Sequence, residues 1–399
     1  MRSKAMTLID DRGPCTVDDE AESMFRSLQS PGRRRWVAAL RLRSRAGRGG
    51  ADGPLEEFGR LTPVVTSDLA QRREDQRQAA AARAQAQRLS RLGRHQDAIA
   101  FYDEAKTIYA RLGQEIEVAR CTVGRANTWV RRGDFERALA GYNEARAVLV
   151  RLGRDAEAAC CTMNRAVVLA DTGRYEEALA GYDKARTALV RAGRESEVAR
   201  CTANRANLLA ATGRFEEALA GYDEAQAVLA RCGEELEVAS CVMNRALVLG
   251  TLGRFQDALT GFEDARAVYA RCGQETEVAR CSANRANVFA GLGRFQEALV
   301  CFDEARAIYQ RFAQELEVAR CAMGCANALR NLGQLQEALV AYREARAIYQ
   351  RFAQELEVAR CTMGGAKVLS AMGNFDESRS DFEKARAVFA RFSQKSRAS

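Results

Sequence analysis

The chain has 399 residues, 47% of them hydrophobic, with a formal net charge of +8. That is enough apolar content to bury a long core, yet no run of about 18 apolar residues exists to cross a bilayer. Arginine supplies 55 of the 61 positive charges and lysine 6, so the basic excess follows a GC-rich coding bias more closely than a nucleic-acid footprint. Thirteen cysteines, with no apolar leader in MRSKAMTLIDDRGPC, point to free thiols in a reducing, cytoplasmic setting.

Residues 1–70 differ from the remainder. All four prolines lie there, at Pro14, Pro31, Pro54 and Pro63. The stretch Asp10 to Glu22 is acidic, and Arg33 to Arg48 is basic around Trp36, Val37, Leu40 and Leu42. The breakers predict a flexible extension, within which Arg33–Arg48 has the pattern of a short amphipathic helix.

From about Gln71 the chain repeats itself. Gly93, Gly133, Gly173, Gly213, Gly253, Gly293, Gly333 and Gly373 are each 40 residues apart, with no insertion between them. A constant period in this range marks a stacked-repeat architecture. In the unit beginning at Glu195, Val198, Thr202, Ala206 and Leu209 share one helical face before Gly213. Phe215, Ala218, Tyr222, Ala225 and Leu229 share another face before Gly233. Each unit is thus two antiparallel helices of about 17 residues joined by glycine turns. Alanine columns (Ala126 to Ala366, Ala98 to Ala338, Ala105 to Ala385) and an aromatic column from Tyr102 to Phe382 are core positions. Seven cysteines, Cys121 to Cys361 at the same period, are a small apolar column rather than a metal site.

The run Ala206, Leu209, Gly213, Phe215, Ala218, Tyr222, Ala225 is similar to the tetratricopeptide repeat motif, and the match holds well over 93–385 and weakly over 72–92. The period is 40 rather than the usual 34 residues, and the proline that commonly ends the second helix is missing. This variety resembles cell-polarity adaptors of the LGN/Pins type and many bacterial regulatory proteins. The resemblance implies an all-α, right-handed α-α superhelical solenoid of about eight helix pairs over 71–399, with a concave groove lined by first helices. It also implies a non-enzymatic scaffold or regulator that binds a peptide or protein segment. A sensory partner of a separate effector enzyme is the alternative, and a nucleic-acid binder a weaker one. No cofactor or metal is expected.

On the first helices, arginine and asparagine recur at i, i+4 and i+7. One ladder is Asn164, Asn204, Asn244 and Asn284; a second is Asn127, Asn207, Asn287 and Asn327; an arginine ladder runs Arg120, Arg200, Arg280, Arg320 and Arg360. Asparagine is mildly unfavourable inside a helix, so its repetition needs a reason. By resemblance to peptide-binding members, the asparagines would hold a ligand's backbone and the arginines its carboxylates. The competing reading is structural, with amide–amide bonds linking neighbouring first helices. Met163, Met243, Met323 and Met363 suggest apolar pockets between the polar sites. The acidic pairs Glu216-Glu217 and Asp223-Glu224 read as solvated outer faces. His95, the single histidine, replaces the aromatic after the first turn and reads as a cap substitution. Phe382, Phe389 and Phe392 leave the last unit without a comparable cap, so a second copy or a partner is expected to cover that end.

Overall fold

The computed structural model describes residues 53–398. Sixteen helices and no strand occur among the described residues. In order they are α1 Gly53–Arg91, α2 His95–Arg111, α3 Glu115–Arg132, α4 Phe135–Arg151, α5 Asp155–Asp171, α6 Tyr175–Arg191, α7 Glu195–Ala211 and α8 Phe215–Arg231. Then follow α9 Glu235–Thr251, α10 Phe255–Arg271, α11 Glu275–Gly291, α12 Phe295–Arg311, α13 Glu315–Asn331, α14 Leu335–Arg351, α15 Glu355–Ala371 and α16 Phe375–Ala398. Most helices have 17 residues, as the period requires. The first and last are longer: α1 begins at Gly53, ahead of the repeat start expected near Gln71. The acidic Asp10–Glu22 and basic Arg33–Arg48 segments lie outside the described residues.

The helices stop where glycine lets them. After α7, Gly213 takes φ 82°, its N–H reaching Ala210 O at 3.1 Å and that of Arg214 reaching Leu209 O at 2.9 Å. This left-handed closure satisfies two carbonyls that the helix end would otherwise orphan. The next helix starts without a capping hydroxyl. In its place Arg214 Nη2 donates to Glu217 Oε2 at 2.6 Å, and Arg174 Nε to Glu177 Oε1 at 2.7 Å. An arginine–glutamate pair across the first turn thus holds the entry that a capping box usually holds.

Backbone contacts divide the chain into two compact units, one up to Asn204 and one from Arg205 on. In the first, α1 to α6 pack each on the next, and α1 also approaches α3. In the second, α8 to α16 do the same, with α9–α11, α11–α13 and α13–α15 as additional neighbours. First helices therefore come together, whereas second helices are bridged by long side chains, Lys106 to Glu144 at 2.6 Å and Arg306 to Glu344 at 2.5 Å. Within each unit this is an all-α repeat solenoid with its first helices drawn together.

The core follows the expected columns. Ala126, Ala166, Ala286 and Ala366 are fully buried, and Tyr142, Tyr222 and Phe262 nearly so. Leu169, Leu209, Leu249 and Leu369 form a further buried column, each contributing about 2 kcal/mol of hydrophobic burial. One close helix contact was not foreseen from the sequence. It is glycine against alanine within a pair: a Cβ on Gly141 would stand 3.1 Å from Ala126 Cβ, and one on Gly181 2.9 Å from Ala166 Cβ.

Candidate binding stripe on the first helices

In α11, Ala279, Cys281, Ser282, Ala283, Ala286, Val288 and Phe289 are buried. Arg280, Asn284 and Asn287 lie on another stripe, at the expected i, i+4 and i+7, with Asn287 exposed and Arg280 and Asn284 partly covered. The same stripe carries Arg120 and Asn127 on α3, Asn164 on α5, and Arg200 and Asn204 on α7 in the first unit. In the second unit it carries Asn207 on α7, Asn244 on α9, Arg320 and Asn327 on α13, and Arg360 on α15. Leu247, 43% exposed, adds an apolar point on α9.

The two asparagine ladders differ in what they touch. In the second, the hydroxyl of Tyr142 donates to Asn127 Oδ1 at 2.5 Å, that of Tyr222 to Asn207 Oδ1 at 2.6 Å and that of Tyr342 to Asn327 Oδ1 at 2.6 Å. Each bond ties a first helix to the second helix of its own pair and fixes the amide oxygen inward. The Nδ2 hydrogens are left to face outward as donors. Asn287 has Phe302 at the corresponding position, with no hydroxyl to offer, and is exposed.

The first ladder lies beneath the aromatic column. Its positions are glycine at 124, 324 and 364, where a Cβ would overlap the rings of Tyr102, Phe302 and Tyr342. Asn164, Asn204, Asn244 and Asn284 occupy the same column between them. One direct link between ladders exists, Asn244 Nδ2 donating to Asn207 Oδ1 at 3.1 Å. That is the amide–amide bond of the structural reading, so at this point the ladder serves the stack. Asn207 Oδ1 receives both this bond and the Tyr222 hydroxyl, which uses its two lone pairs.

The arginine ladder is graded. Arg120, its side chain 19% exposed, pairs with Glu117 at 2.6 Å and Glu157 at 3.3 Å. Arg280, 11% exposed, pairs with Glu277 and donates from Nε to Met243 Sδ at 3.3 Å. Burial holds the Glu277 carboxyl above the usual range, with Arg280 pulling it back. Arg320 and Arg360 are 50% and 52% exposed, each paired with the glutamate three residues earlier, Glu317 and Glu357. The half-exposed guanidinium groups of the ladder are therefore those on α13 and α15.

One expectation is corrected. Met243 is 2% exposed and Met323 packs on the core around Ala322, Ala326 and Tyr342, because these positions turn toward the neighbouring helix. Met243 therefore lines no open pocket, while Met163, Met323 and Met363 remain partly exposed. Asp103, Asp223 and Glu263 are about half exposed on the second helices, and each pairs with a first-helix arginine: Arg125 with Asp103, Arg245 with Asp223 at 2.7 Å and Arg285 with Glu263 at 2.9 Å. These pairs stitch a second helix to the first helix of the next pair. The arginine column at 125, 165, 205, 245 and 285 was visible as a period but not read as half of that stitch.

Among the described residues no group of three or more His, Cys, Asp or Glu could hold a metal ion, and no helix is long and apolar enough to cross a membrane. His95 is placed at the start of α2, where burial first, then Arg131 and Arg132, lower its pKa.

A family model described as tetratricopeptide repeat matches residues 157–231, 198–271, 237–311 and 275–351. A model described as soluble NSF attachment protein matches residues 64–190. No curated protein sequence matches the chain. Among solved structures, a signal transduction ATPase with a tetratricopeptide repeat sensor from Pyrococcus horikoshii superposes with a TM-score of 0.61 at 12% identity, over 77% of this chain and 47% of that one. Aspartyl phosphate phosphatase F from Bacillus subtilis gives 0.55 at 12% identity, over 72% and 75%. A Rap conjugation gene regulator of the plasmid pLS20, in complex with the Phr* peptide, gives 0.54 at 14% identity, over 75% and 85%. At these identities the likeness is one of fold.

Proposed function

The chain is a tetratricopeptide repeat protein, and from that premise we propose that it is a non-enzymatic scaffold or regulator whose solvent-facing first-helix stripe binds an extended protein segment bearing acidic residues. The observation that carries this reading is the graded arginine ladder of the second unit. Arg320 and Arg360 are half exposed and each neutralised by one glutamate, while Arg280 is buried in its pairing. Asn327 supports it, since Tyr342 takes its oxygen and leaves its Nδ2 hydrogens to meet a ligand carbonyl. A fold neighbour in complex with a peptide is in keeping with this mode.

The test uses a short fluorescein-labelled peptide of alternating Glu and Leu, with an alternating Lys–Leu peptide as control, read by fluorescence anisotropy. Binding of the acidic peptide should weaken roughly tenfold in the Arg320→Ala, Arg360→Ala double variant, about 0.7 kcal/mol for each partly exposed pair. It should also weaken as salt rises. Equal affinity of the double variant and wild type would sink the assignment. The ATPase with a repeat sensor favours a second reading, in which the chain senses a ligand for a separate effector. Ligand-dependent change in a co-purified enzyme's activity is what that reading requires.

A further inference from the structure

The last helix differs from the inner second helices in the residues it carries at three of their small or apolar columns. At the position where Ile99, Leu139, Leu219, Leu259 and Leu339 are buried against the next pair, α16 carries Arg379. Where Gly141, Gly181, Gly261 and Ala341 stand, it carries Asp381, paired with Lys384 at 3.0 Å. In the alanine column it carries Ser378, whose Oγ donates to Ala366 O at 2.8 Å. These exchanges put a charge or a hydroxyl on α16 where inner second helices carry small or apolar residues. Apolar surface remains beside them. Phe375 is 65% and Phe382 37% exposed, and together with Arg379, Glu383 and Arg386 they line a groove of about 350 Å³.

Phe375, Asp376, Arg379, Phe382, Glu383 and Arg386 share one face of the helix, at spacings of three and four. Among the described residues, Asp376, Arg379, Glu383 and Arg386 make no ion pair within the chain, whereas their neighbours Glu377, Asp381 and Arg391 do. In inner pairs the residue matching Glu383 meets an arginine of the next first helix, as Glu263 meets Arg285. The acidic and basic charges on α16 alternate in a way that complements the same helix reversed. With a two-fold axis crossing the exposed face at the axial level of residue 381, an antiparallel second α16 brings Arg379 opposite Glu383, and Asp376 opposite Arg386, each pair occurring twice. The phenyl rings of Phe375 and Phe382 then fall between the helices. An isologous contact requires that kind of self-complementarity.

We propose that this face of α16 is a docking surface for a second copy of the chain, joined antiparallel through Phe375 and Phe382 and kept in register by Arg379–Glu383 and Asp376–Arg386 pairs. One helix per partner makes a small interface, so the dimer is weak and concentration-dependent.

The test is sedimentation velocity of the full chain over a range of micromolar concentrations. Wild type should move from monomer toward twice that mass as concentration rises. Phe382→Asp should remain monomeric. Arg379→Glu and Glu383→Arg should each raise the dimer Kd at least tenfold, since each sets like charges against each other. Combining the two reverses both pairs and should restore association to near the wild-type value. These side chains are exposed, so the melting temperature of each variant, followed by circular dichroism, should stay close to wild type. A chain that stays monomeric throughout overturns the proposal, as does a dimer indifferent to the single swaps or a double swap no better than either single. Monomeric chain that instead captures a different protein on this face overturns it equally.

Discussion

Ala313 and Ala353 adopt φ of 52° and 51°, in turns where Gly113, Gly153, Gly193, Gly233 and Gly273 stand in the corresponding units. An L-residue in the left-handed region is disfavoured by about 1–2 kcal/mol, because its Cβ crowds the following carbonyl. Part of the gain from glycine is offset by its greater freedom in the unfolded chain. Ala313→Gly and Ala353→Gly should each stabilise the protein by about 0.5–1 kcal/mol, measured as a shift in urea midpoint at constant slope. A second residue-scale expectation comes from Phe302. Its ring lies over Gly324 as that of Tyr342 lies over Gly364, and Tyr342 reaches Asn327 with its hydroxyl. Phe302→Tyr should place a hydroxyl at Asn287 and add about 0.5–1.5 kcal/mol, the usual net value of such a bond. A variant less stable than wild type in the same urea titration would show that the two sites are not equivalent. Residue identity at these places was legible in the sequence, but partnership was not. The Asn207 and Tyr222 columns were both visible as periods, and one was read as ligand-facing and the other as core. That they meet follows from the pitch of two helices against each other, which no single-column period contains.

Helix boundaries were the most legible feature, because each is set locally. Glycine in the left-handed region ends a helix whatever it packs against, and the 40-residue spacing of Gly93 to Gly373 needed no tertiary information. Packing between elements was less legible. The glycines at 124, 324 and 364 stand in the column of the first asparagine ladder, and there the rings of Tyr102, Phe302 and Tyr342 occupy the space that a Cβ would need. Gly364→Ala tests that contact. The added methyl would overlap the Tyr342 ring, which is 2% exposed and bonded to both Asn327 and Arg330, so it has little room to move aside. A loss of about 1–3 kcal/mol is expected, as for overpacking of a filled site, read from thermal unfolding. Gly250→Ala is the control: its nearest neighbour, Val288 Cγ2, would stand at 3.6 Å, ordinary contact, and the substitution should leave the packing undisturbed. Equal losses at the two sites would mean that the ring contact is not what excludes a side chain from position 364.

At the scale of the whole chain, the cysteine column distributes one chemical property over both units. Burial pushes the thiols of Cys121, Cys161, Cys241, Cys281, Cys321, Cys325 and Cys361 up to about 12. In an unfolded chain the same thiols ionise near 8.5. Below that pH both states hold the proton, and the column's contribution to stability is fully present. Between about 8.5 and 12 the unfolded state has released protons that the folded state keeps, so stability falls as pH rises, by up to about 1.4 kcal/mol per pH unit for each thiol. Stability is small against such a slope multiplied over several sites. The repeat array should therefore unfold in mild alkali, well before the folded thiols themselves titrate. Helical circular dichroism followed from neutral pH upward should show a cooperative loss starting between about pH 9 and 10. Ellman's reagent should modify exposed Cys232 at once and the buried column only as the helical signal falls. Replacing Cys321 and Cys361 together by alanine removes two of the titrating groups and should move the alkaline midpoint upward, even if stability at neutral pH is reduced. A midpoint that moves down with the neutral-pH stability, or helicity that stays flat to pH 11, would separate the thiol column from the alkaline response.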